Sequence, residues 1–221
     1  DVYKRQQLIW FRQDLRIHDH AALWHATQQG SCIALVVLSP EQWKLHQDAR
    51  TKIDFYLRRL GILKQQLAQL NIPLIILNIP LWQDLPAEML NLCQKLRIDT
   101  LHANIEVGVN ELQRDAKVQQ MLEQQQIRVE LYHDRSLFPL TSIRNQSNQP
   151  YQVYSAFKKK CYERLIQDIP GCYPAIQPQD LLELPDQLNN FDLGKFAADY
   201  SVDHTAQLWP AQDQAAIELL D

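Results

Sequence analysis

Residues 8–19 read LIWFRQDLRIHD, a short apolar run that ends abruptly in charged residues of both signs. A continuous apolar run of this length suits a strand that is buried on both faces, as in a parallel sheet. The charged residues that follow are Arg12, Asp14, Arg16 and Asp19, which would lie where that strand ends. The simplest interpretation is that the two arginines pair with the two aspartates and fix the loop, since guanidinium and carboxylate groups match in geometry.

Further apolar runs follow at Cys32–Leu38, Leu74–Leu77, Thr100–Ala103 and Arg128–Tyr132. Between them, helical periodicity predicts helices at His20–Gln29, Thr51–Leu70, Leu85–Leu96 and Asn110–Gln126. Asp19 is the predicted N-cap of the first of these helices. Strands that alternate with helices indicate βαβ units with right-handed crossovers. The predicted fold class is therefore α/β, a doubly wound, Rossmann-like sheet of five parallel strands.

The pattern changes after residue 135. A polar stretch at 145–149 precedes a predicted helix at Tyr151–Gln167, and residues 170–210 then contain five prolines and few periodic runs. This composition is typical of a linker that lies on a surface rather than building a core. The last residues, Asp213–Asp221, resemble the first turns of a further helix. We therefore divide the chain into an α/β domain at 1–135 and a helix with a Pro-rich interdomain linker at 136–221.

Composition excludes several classes of protein. The 221 residues carry a net charge of −4, whereas a surface that grips nucleic acid throughout should be basic. No apolar run approaches the ~20 residues of a membrane span, and no signal-peptide core is present, so we expect no membrane partner. The four widely spaced cysteines lack a C-x-x-C pair, which favours a reducing compartment and a cytoplasmic location.

Motifs for common chemistries are missing from the sequence. None of its five glycines lies in the loop after the first strand, so the G-x-G-x-x-G motif with which dinucleotide-binding proteins bind pyrophosphate is absent. No G-x-S-x-G, H-E-x-x-H or Walker pattern occurs. His18, His20, His102 and His133 lack the spacing of metal ligands. We predict neither a metal site nor a catalytic residue in this chain.

Asn110 and Glu111 follow the fourth predicted strand, where a loop opens a helix. An amide beside a carboxylate can bind the edge of a flat heterocycle, with the carboxylate accepting two parallel N–H bonds from an amino-pyrimidinone. From spacing alone, a helix cap followed by an acidic residue that suits the helix dipole explains the pair better.

The predicted helix Tyr151–Gln167 carries Lys158, Lys159, Lys160 and Arg164 with aromatic residues between them. Such a helix can contact a phosphate backbone. More often it packs its aromatic side chains and leaves its lysines in solvent, and that is the interpretation we favour.

Three segments, in order, resemble the DNA photolyase and cryptochrome family. Residues 10–19 (WFRQDLRIHD) resemble the W-F-R-x-D-L-R-x-x-D signature that opens its N-terminal domain, and residues 110–115 (NELQRD) resemble its N-E-x-x-R-D block. Residues 151–157 (YQVYSAF) are similar to its Y-x-V-F/Y-x-x-F segment. The resemblance is strongest to bacterial cyclobutane pyrimidine dimer photolyases with a folate antenna. One departure is Gly108, where members of the family often carry Glu.

The resemblance implies a function that the residues alone do not. Such enzymes bind FAD in a helical C-terminal domain that is absent from this chain, and they use blue light to split pyrimidine dimers in UV-damaged DNA. It also implies that Asn110 and Glu111 hold the pterin edge of a methenyltetrahydrofolate antenna. The signature at the first strand's exit borders the helical domain, which we expect as a partner in cis, and the complete protein is expected to be a monomer.

Alternatives remain open at this point. Some members of the family carry a deazaflavin or FMN antenna instead, and Arg12 would then meet its phosphate-bearing tail. A cryptochrome-like blue-light photosensor shares the fold and FAD without repairing DNA. A nucleotide-binding module of related α/β architecture is a third possibility, but it should have a glycine-rich phosphate loop, which this sequence lacks.

Overall fold

The computed structural model describes residues 6–188 and 190–218. Its strands are β1 (Gln6–Phe11), β2 (Ser31–Leu38), β3 (Leu74–Asn78), β4 (Ile98–Asn104) and β5 (Arg128–Tyr132). They form one sheet in the order β3-β2-β1-β4-β5, and every neighbouring pair is parallel. The predicted five-stranded, doubly wound α/β fold is therefore confirmed.

The larger helices between the strands are α1 (Ala21–Gln29), α3 (Arg50–Gln69), α4 (Leu85–Leu96) and α5 (Val109–Glu123). A short helix, α2 (Pro40–Leu45), precedes α3 and was not predicted. After β5 come α6 (Tyr154–Gln167), α7 (Leu193–Ala198), α8 (Thr205–Leu208) and α9 (Asp213–Glu218). The helix expected at Asp213–Asp221 thus exists through residue 218, and residues 219–221 lie outside the described residues.

The predicted cap of α1 is wrong. His20 is the N-cap, and its Nδ1 accepts a hydrogen bond of 3.0 Å from the backbone N–H of Leu23. Asp19 instead has a positive φ of 47°, and its carboxylate accepts from the backbone N–H of Tyr173. Aspartate is among the residues that tolerate this conformation, so Asp19 turns the chain while its neighbour caps the helix.

Side chains of β1 alternate between two apolar layers, one on each face of the sheet. Ile9 and Phe11 join the layer made with α1 and α3, and Leu8 and Trp10 join the layer made with α4 and α5. The amphipathic stripe of α3 explains its place, because its leucines at helical spacing are buried against the sheet. Each such buried leucine stabilises the fold by roughly 1.5–3 kcal/mol relative to exposure.

The Pro-rich segment returns along the α/β body. Ile176, Phe191 and Phe196 pack on the layer that contains α3, while Leu182 and Leu184 pack on the opposite layer. The segment lies at the surface, as predicted, and these partly buried side chains pack against the outside of both layers. The division at residue 135 stays a prediction. None of the helices in the described ranges is both long and apolar enough to span a membrane.

Candidate functional site

The carboxyl ends of the strands form the edge where a ligand of this fold is expected. The chain runs outward from β1 to β2 and β3, then crosses back to place β4 on the other side of β1. Loops that leave β1 and β4 therefore diverge and open a crevice between them. Arg12 follows β1 directly, and Glu106 lies just beyond the end of β4, so both loops supply charged side chains to the crevice.

Four buried charged side chains form an ion network at this crevice. Arg114 Nη2 lies 2.8 Å from Glu106 Oε2 and 2.7 Å from Asp115 Oδ1. Arg12 Nη1 lies 3.4 Å from the other oxygen of Asp115, and Arg12 Nη2 donates to the backbone carbonyl of Asn104. Two carboxylates thus neutralise two guanidinium groups away from solvent, and a change to any one of them leaves an uncompensated buried charge.

The guanidinium group of Arg114 lies close to two indole rings. Its guanidinium carbon lies 4.8 Å from the ring centroid of Trp10 and 4.6 Å from that of Trp82. Burial lowers the pKa of Arg114, but Asp115 and Glu106 outweigh that effect and raise it above the ordinary value. A permanently charged side chain between two aromatic faces is a favourable cation–π arrangement. Arg114 therefore ties the loop after β3 to β1 and to α5.

The charges after β1 do fix the strand exit, but their predicted partners are wrong. The side chain of Arg12 pairs with Asp115 across the crevice, whereas only its backbone N–H donates to Asp14, at 2.8 Å. Arg16 pairs with Asp134 at 2.8 Å, and Asp14 lies 2.9 Å from His20 Nε2. The loop is thus held by backbone contacts within itself, such as the bond from Arg16 to the carbonyl of Asp19, and by side-chain pairs with elements further along the chain.

The Asp14 carboxyl is buried and remains ionised. Burial alone would raise its pKa, but the hydrogen bond with His20, together with the positive charge and the backbone N–H of Arg12, holds the pKa well below its ordinary value. Asn104 Nδ2 also donates to Asp14, and Asn104 Oδ1 accepts from the backbone N–H of Ala22. These contacts join the ends of β1 and β4 to the start of α1.

A cavity of about 70 Å³ lies at this edge of the sheet. The loops after β1, β2, β3 and β4 and the start of α3 all contribute to its wall, which includes Arg12, Ser39, Tyr56, Trp82, Glu106 and Glu111. Pockets that enclose a small-molecule ligand usually measure roughly 300–1,000 Å³. This cavity is therefore too small to enclose a pigment, although the rim can receive part of one.

Asn110 and Glu111 occupy the first turn of α5, which begins at Val109; the N-cap is Gly108, so Asn110 is not the helix cap that spacing favoured. Asn110 is exposed, while Glu111 is half-buried and lines the cavity. The free N–H groups of a first helical turn give this position a positive potential that suits polar and acidic partners. The structure therefore places Glu111 at the cavity and leaves Asn110 exposed beside it, and their role as ligands stays a prediction.

Several residues of this site carried no prediction of their own. Arg114 and Asp115 belong to the NELQRD segment that resembles a family motif, but the sequence did not indicate what either residue does. Glu106 and Trp82 lie in loops with no recognisable spacing. Their importance follows only from the strand order, which brings these loops to one edge of the sheet.

A second surface lies on α6 and the loop before it. An apolar groove of about 480 Å³ runs between residues 136–144 and the helix, and none of the residues of α6 is buried. Tyr154 is 74% exposed, Tyr162 is 56% exposed and Ile166 is 83% exposed. The interpretation that this helix packs its aromatic side chains is wrong within the described residues, and we call this region the α6 surface.

Within the described residues we find neither a group of side chains suited to bind a metal ion nor an activated thiol among the two buried cysteines. They contain no group of three or more histidine, cysteine, aspartate or glutamate side chains that could hold a metal ion. Burial raises the pKa of the Cys32 and Cys93 thiols to about 12, so neither is a ready nucleophile.

Comparison with known proteins gives consistent results. A family model described as DNA photolyase matches residues 7–175. A deoxyribodipyrimidine photo-lyase from Buchnera aphidicola is 36% identical over 172 residues, which cover 77% of this chain and 36% of that protein. One from Vibrio cholerae is 34% identical over 154 residues, covering 69% of this chain and 33% of that protein. The chain thus spans about a third of the length of these relatives.

A solved structure shows the same fold. The crystal structure of a bacterial class III photolyase from Agrobacterium tumefaciens superposes with a TM-score of 0.77 at 18% sequence identity. The match covers 100% of this chain and 45% of that chain. The α/β architecture described above is therefore the fold found in part of that larger protein.

Proposed function

The chain belongs to the DNA photolyase family, and from this premise we propose that it is the N-terminal, antenna-binding part of a deoxyribodipyrimidine photolyase. In the complete protein, FAD in a helical domain supplies the light-driven electron that splits cyclobutane pyrimidine dimers in UV-damaged DNA. The described residues serve this reaction by holding a second pigment, which absorbs light and passes the excitation on. Relatives that carry the photo-lyase name at 34–36% identity support the proposal.

One observation carries the antenna role. Asn110 and Glu111 follow one another in the first turn of α5, and Glu111 lines a cavity at the switch point of the sheet. The carboxylate of Glu111 can accept two parallel N–H bonds from an amino-pyrimidinone edge. The amide of Asn110 can donate to or accept from a neighbouring ring position. These residues fit a pterin, and they would bind and orient it.

The size of the cavity favours methenyltetrahydrofolate over a deazaflavin or FMN. A space of about 70 Å³ can take a small substituent, whereas a three-ring pigment sunk into the sheet edge would need several times that volume. A pterin needs only an edge contact at the rim and can lie in a shallow position. Its exposed face would then be covered by another part of the protein.

The exposed apolar side chains of the α6 surface support the proposal that a helical domain follows in the same polypeptide. Its exposed aromatic and aliphatic side chains surround the groove of about 480 Å³, and contiguous apolar surface of this kind usually marks an interface. The matched segments cover 36% and 33% of the relatives' own lengths, which agrees with a further domain in the complete protein. We accordingly propose residues 1–135 as the antenna domain and 136–221 as the helix and linker that lead to the FAD domain. The complete protein is proposed to be a cytoplasmic monomer.

Light-dependent repair by the complete protein tests the function. Purified protein with bound FAD is mixed with DNA that contains thymine dimers, and dimers are counted after blue light and after equal time in the dark. We expect dimers to disappear only in the light. Equal dimer counts in both arms reject repair and favour a cryptochrome-like photosensor.

Substitution of Glu111 tests the antenna separately. Glu111→Gln should lose most of the near-ultraviolet absorbance of bound folate while FAD and repair under direct flavin excitation persist. Glu123→Gln, an exposed glutamate at the far end of the same helix, is the control and should keep the folate. Unchanged folate content in Glu111→Gln would overturn the assignment of this residue.

A further inference from the structure

A second cleft lies beside the antenna cavity. It measures about 350 Å³, and its walls are the loop after β1 at residues 13–16, the helix α3 and the chain at 210–213. Pockets for small molecules usually measure roughly 300–1,000 Å³. This cleft can therefore hold part of a ligand that the cavity of about 70 Å³ cannot enclose.

One stripe of α3 forms a wall of the cleft. Lys52, Phe55, Tyr56 and Arg59 all line it, and their helical spacing places them on one face of α3. Phe55 is 39% exposed and Lys52 is exposed as well, whereas most leucines of the same helix are buried against the sheet. The stripe thus offers an aromatic ring and an ammonium group to the cleft.

The acidic side chains that line the cleft are Asp14 and Asp213, and both are already bound. Asp14 Oδ2 accepts a hydrogen bond of 2.8 Å from Asn104. Asp213 Oδ1 lies 2.7 Å from Arg59 Nη2, and Gln66 donates to the other oxygen of the same carboxylate. Because both carboxylates have partners, they offer little to a cationic guest.

The ammonium group of Lys52 is available to an anionic guest. Its partner is Asp48 at (i, i+4) spacing, and the Lys52 side chain is 55% exposed. Exposed pairs of this kind contribute little to stability, so a carboxylate of a guest can share or replace Asp48. Arg16 adds a second, partly exposed cation from the loop after β1. Together with Phe55, these groups suit a guest that has an aromatic ring and carboxylates.

The position of the cleft beside Glu111 identifies such a guest. Gln13, Lys52 and Tyr56 line both the cleft and the antenna cavity, and Glu111 lines that cavity too. A ligand with its heterocycle at Glu111 can therefore extend past Lys52 into the cleft. A folate has this composition, because its pterin carries an aminobenzoyl ring and then a glutamate that ends in carboxylates.

We propose that the cleft is the tail subsite of the antenna, in which Phe55 packs against the aminobenzoyl ring and Lys52 pairs with the glutamate carboxylates. The inference deepens the proposed function and rests on it. Glu111 supplies hydrogen bonds to the pterin, while α3 supplies apolar contact and charge pairing to the tail. The affinity is thus divided between two parts of the ligand that can be separated chemically.

Titration of the complete protein with 5,10-methenyltetrahydrofolate tests the subsite. We expect Phe55→Ala to weaken binding roughly 10-fold, as for loss of an aromatic contact, and Lys52→Met to weaken it roughly 3-fold, as for loss of an exposed charge pair. Lys64→Met is the matched control, since Lys64 is exposed on the same helix but does not line the cleft. That variant should bind folate as the wild type does.

A tetrahydropterin that lacks the aminobenzoyl-glutamate tail separates contact with the tail from distortion of the head site. Phe55→Ala and Lys52→Met should both bind this compound as the wild type does. Equal losses for folate and for the tail-less pterin would overturn the proposal, as would wild-type folate affinity in either variant. A wild-type protein that binds no folate overturns the proposed antenna and this inference together, whereas the variant results concern the tail subsite alone.

Discussion

The switch-point crevice and the α6 surface each place their side chains in surroundings opposite to the usual ones for their type. At the crevice, Arg12, Arg114, Glu106 and Asp115 are charged, yet they are buried and paired with one another. On α6, Tyr154, Tyr162 and Ile166 are apolar or amphipathic, yet they are exposed to solvent. The comparison shows that the charged groups of the crevice find their partners within the described residues, whereas the apolar side chains of α6 remain exposed to solvent. Stability measurements on the two regions should therefore differ sharply.

Loss of a buried charge should show the largest difference between the regions. Arg114→Ala leaves Glu106 and Asp115 without their main partner inside the protein, which typically costs about 3–5 kcal/mol of unfolding free energy. Lys160→Ala on α6 removes an exposed pair with Glu163 at 3.2 Å, which is worth about 0–1 kcal/mol. Urea unfolding measures the loss of unfolding free energy in each variant. Equal losses in the two variants would contradict the predicted difference between the crevice and the α6 surface.

A buried histidine should make the body sensitive to acid. His102 Nδ1 lies 2.9 Å from the Tyr132 hydroxyl and its Nε2 2.9 Å from Gln7 Oε1, and burial lowers its pKa to about 4. Between the unfolded value of about 6.5 and pH 4, the unfolded chain binds the extra proton and the folded chain does not. Stability should therefore fall as the pH drops through this window, by at most about 3 kcal/mol from this group.

Denaturant unfolding between pH 7 and pH 4 checks this pH dependence. His102→Gln should flatten the slope in that window, because the group that gains a proton on unfolding is gone. His133→Gln, which changes an exposed side chain just after β5, should leave the slope as it is. A His102→Gln variant with the full wild-type slope would refute the role of burial at this position.

A substitution in the Pro-rich linker, residues 170–210, should lower the free energy of unfolding by an intermediate amount. The side chain of Gln179 accepts from the backbone N–H of Cys32 at 2.7 Å and donates to the carbonyls of Cys32 and Asn71 at 3.0 Å. Gln179→Ala leaves these backbone groups unpaired, so we expect a loss of about 1–3 kcal/mol. The exposed Gln177 is the control, and Gln177→Ala should stay within about 0.5 kcal/mol of the wild type.

Hydrogen exchange over residues 170–188 should rise in Gln179→Ala and remain unchanged in Gln177→Ala. This readout matters because it reports on the linker itself rather than on the whole fold. If the two glutamine variants exchange alike, Gln179 does not anchor the linker, and the segment behaves as a surface strap held by its apolar contacts alone.

A change on the α6 surface should have the smallest effect on folding. Ile166 is 83% exposed, so Ile166→Ser should alter the unfolding free energy by no more than about 0.5 kcal/mol. It should nevertheless reduce self-association of this chain, since exposed apolar patches drive aggregation when uncovered. Sedimentation velocity measures that association, with Lys159→Ser on the same helix as the control. A loss of several kcal/mol would mean that Ile166 packs inside the chain.

Local patterns were enough to predict the sheet and its main helices. The run Cys32–Leu38 differs from the observed β2 by one residue, and the predicted helix Leu85–Leu96 matches α4. Such patterns depend on neighbours within a turn of helix or along one strand, which the sequence displays directly. Asn110 and Glu111 could likewise be expected at the sheet edge, because they follow a strand.

The partners of buried charges could not be read in the same way. Arg12 donates to the carbonyl of Asn104, which lies 92 residues further along the chain, and Arg16 pairs with Asp134. From the sequence, Asp14 and Asp19 were the expected partners of these arginines because they are near neighbours. In the structure, the carboxylate of Asp14 lies beside His20, and that of Asp19 accepts a hydrogen bond from the backbone N–H of Tyr173. Loops distant in sequence meet only when the strand order has brought their ends together.

The sequence by itself determined the fold class, the strand exits and the family signature, because hydrophobic periodicity and short motifs are properties of adjacent residues. Only the tertiary structure decided that Arg114 contacts both Trp10 and Trp82, that Glu111 lines the cavity at the sheet edge, and that the residues of α6 are not buried. The physical reason is that burial and charge pairing depend on which loops the parallel sheet gathers at one edge. That gathering is set by the packing of the whole chain.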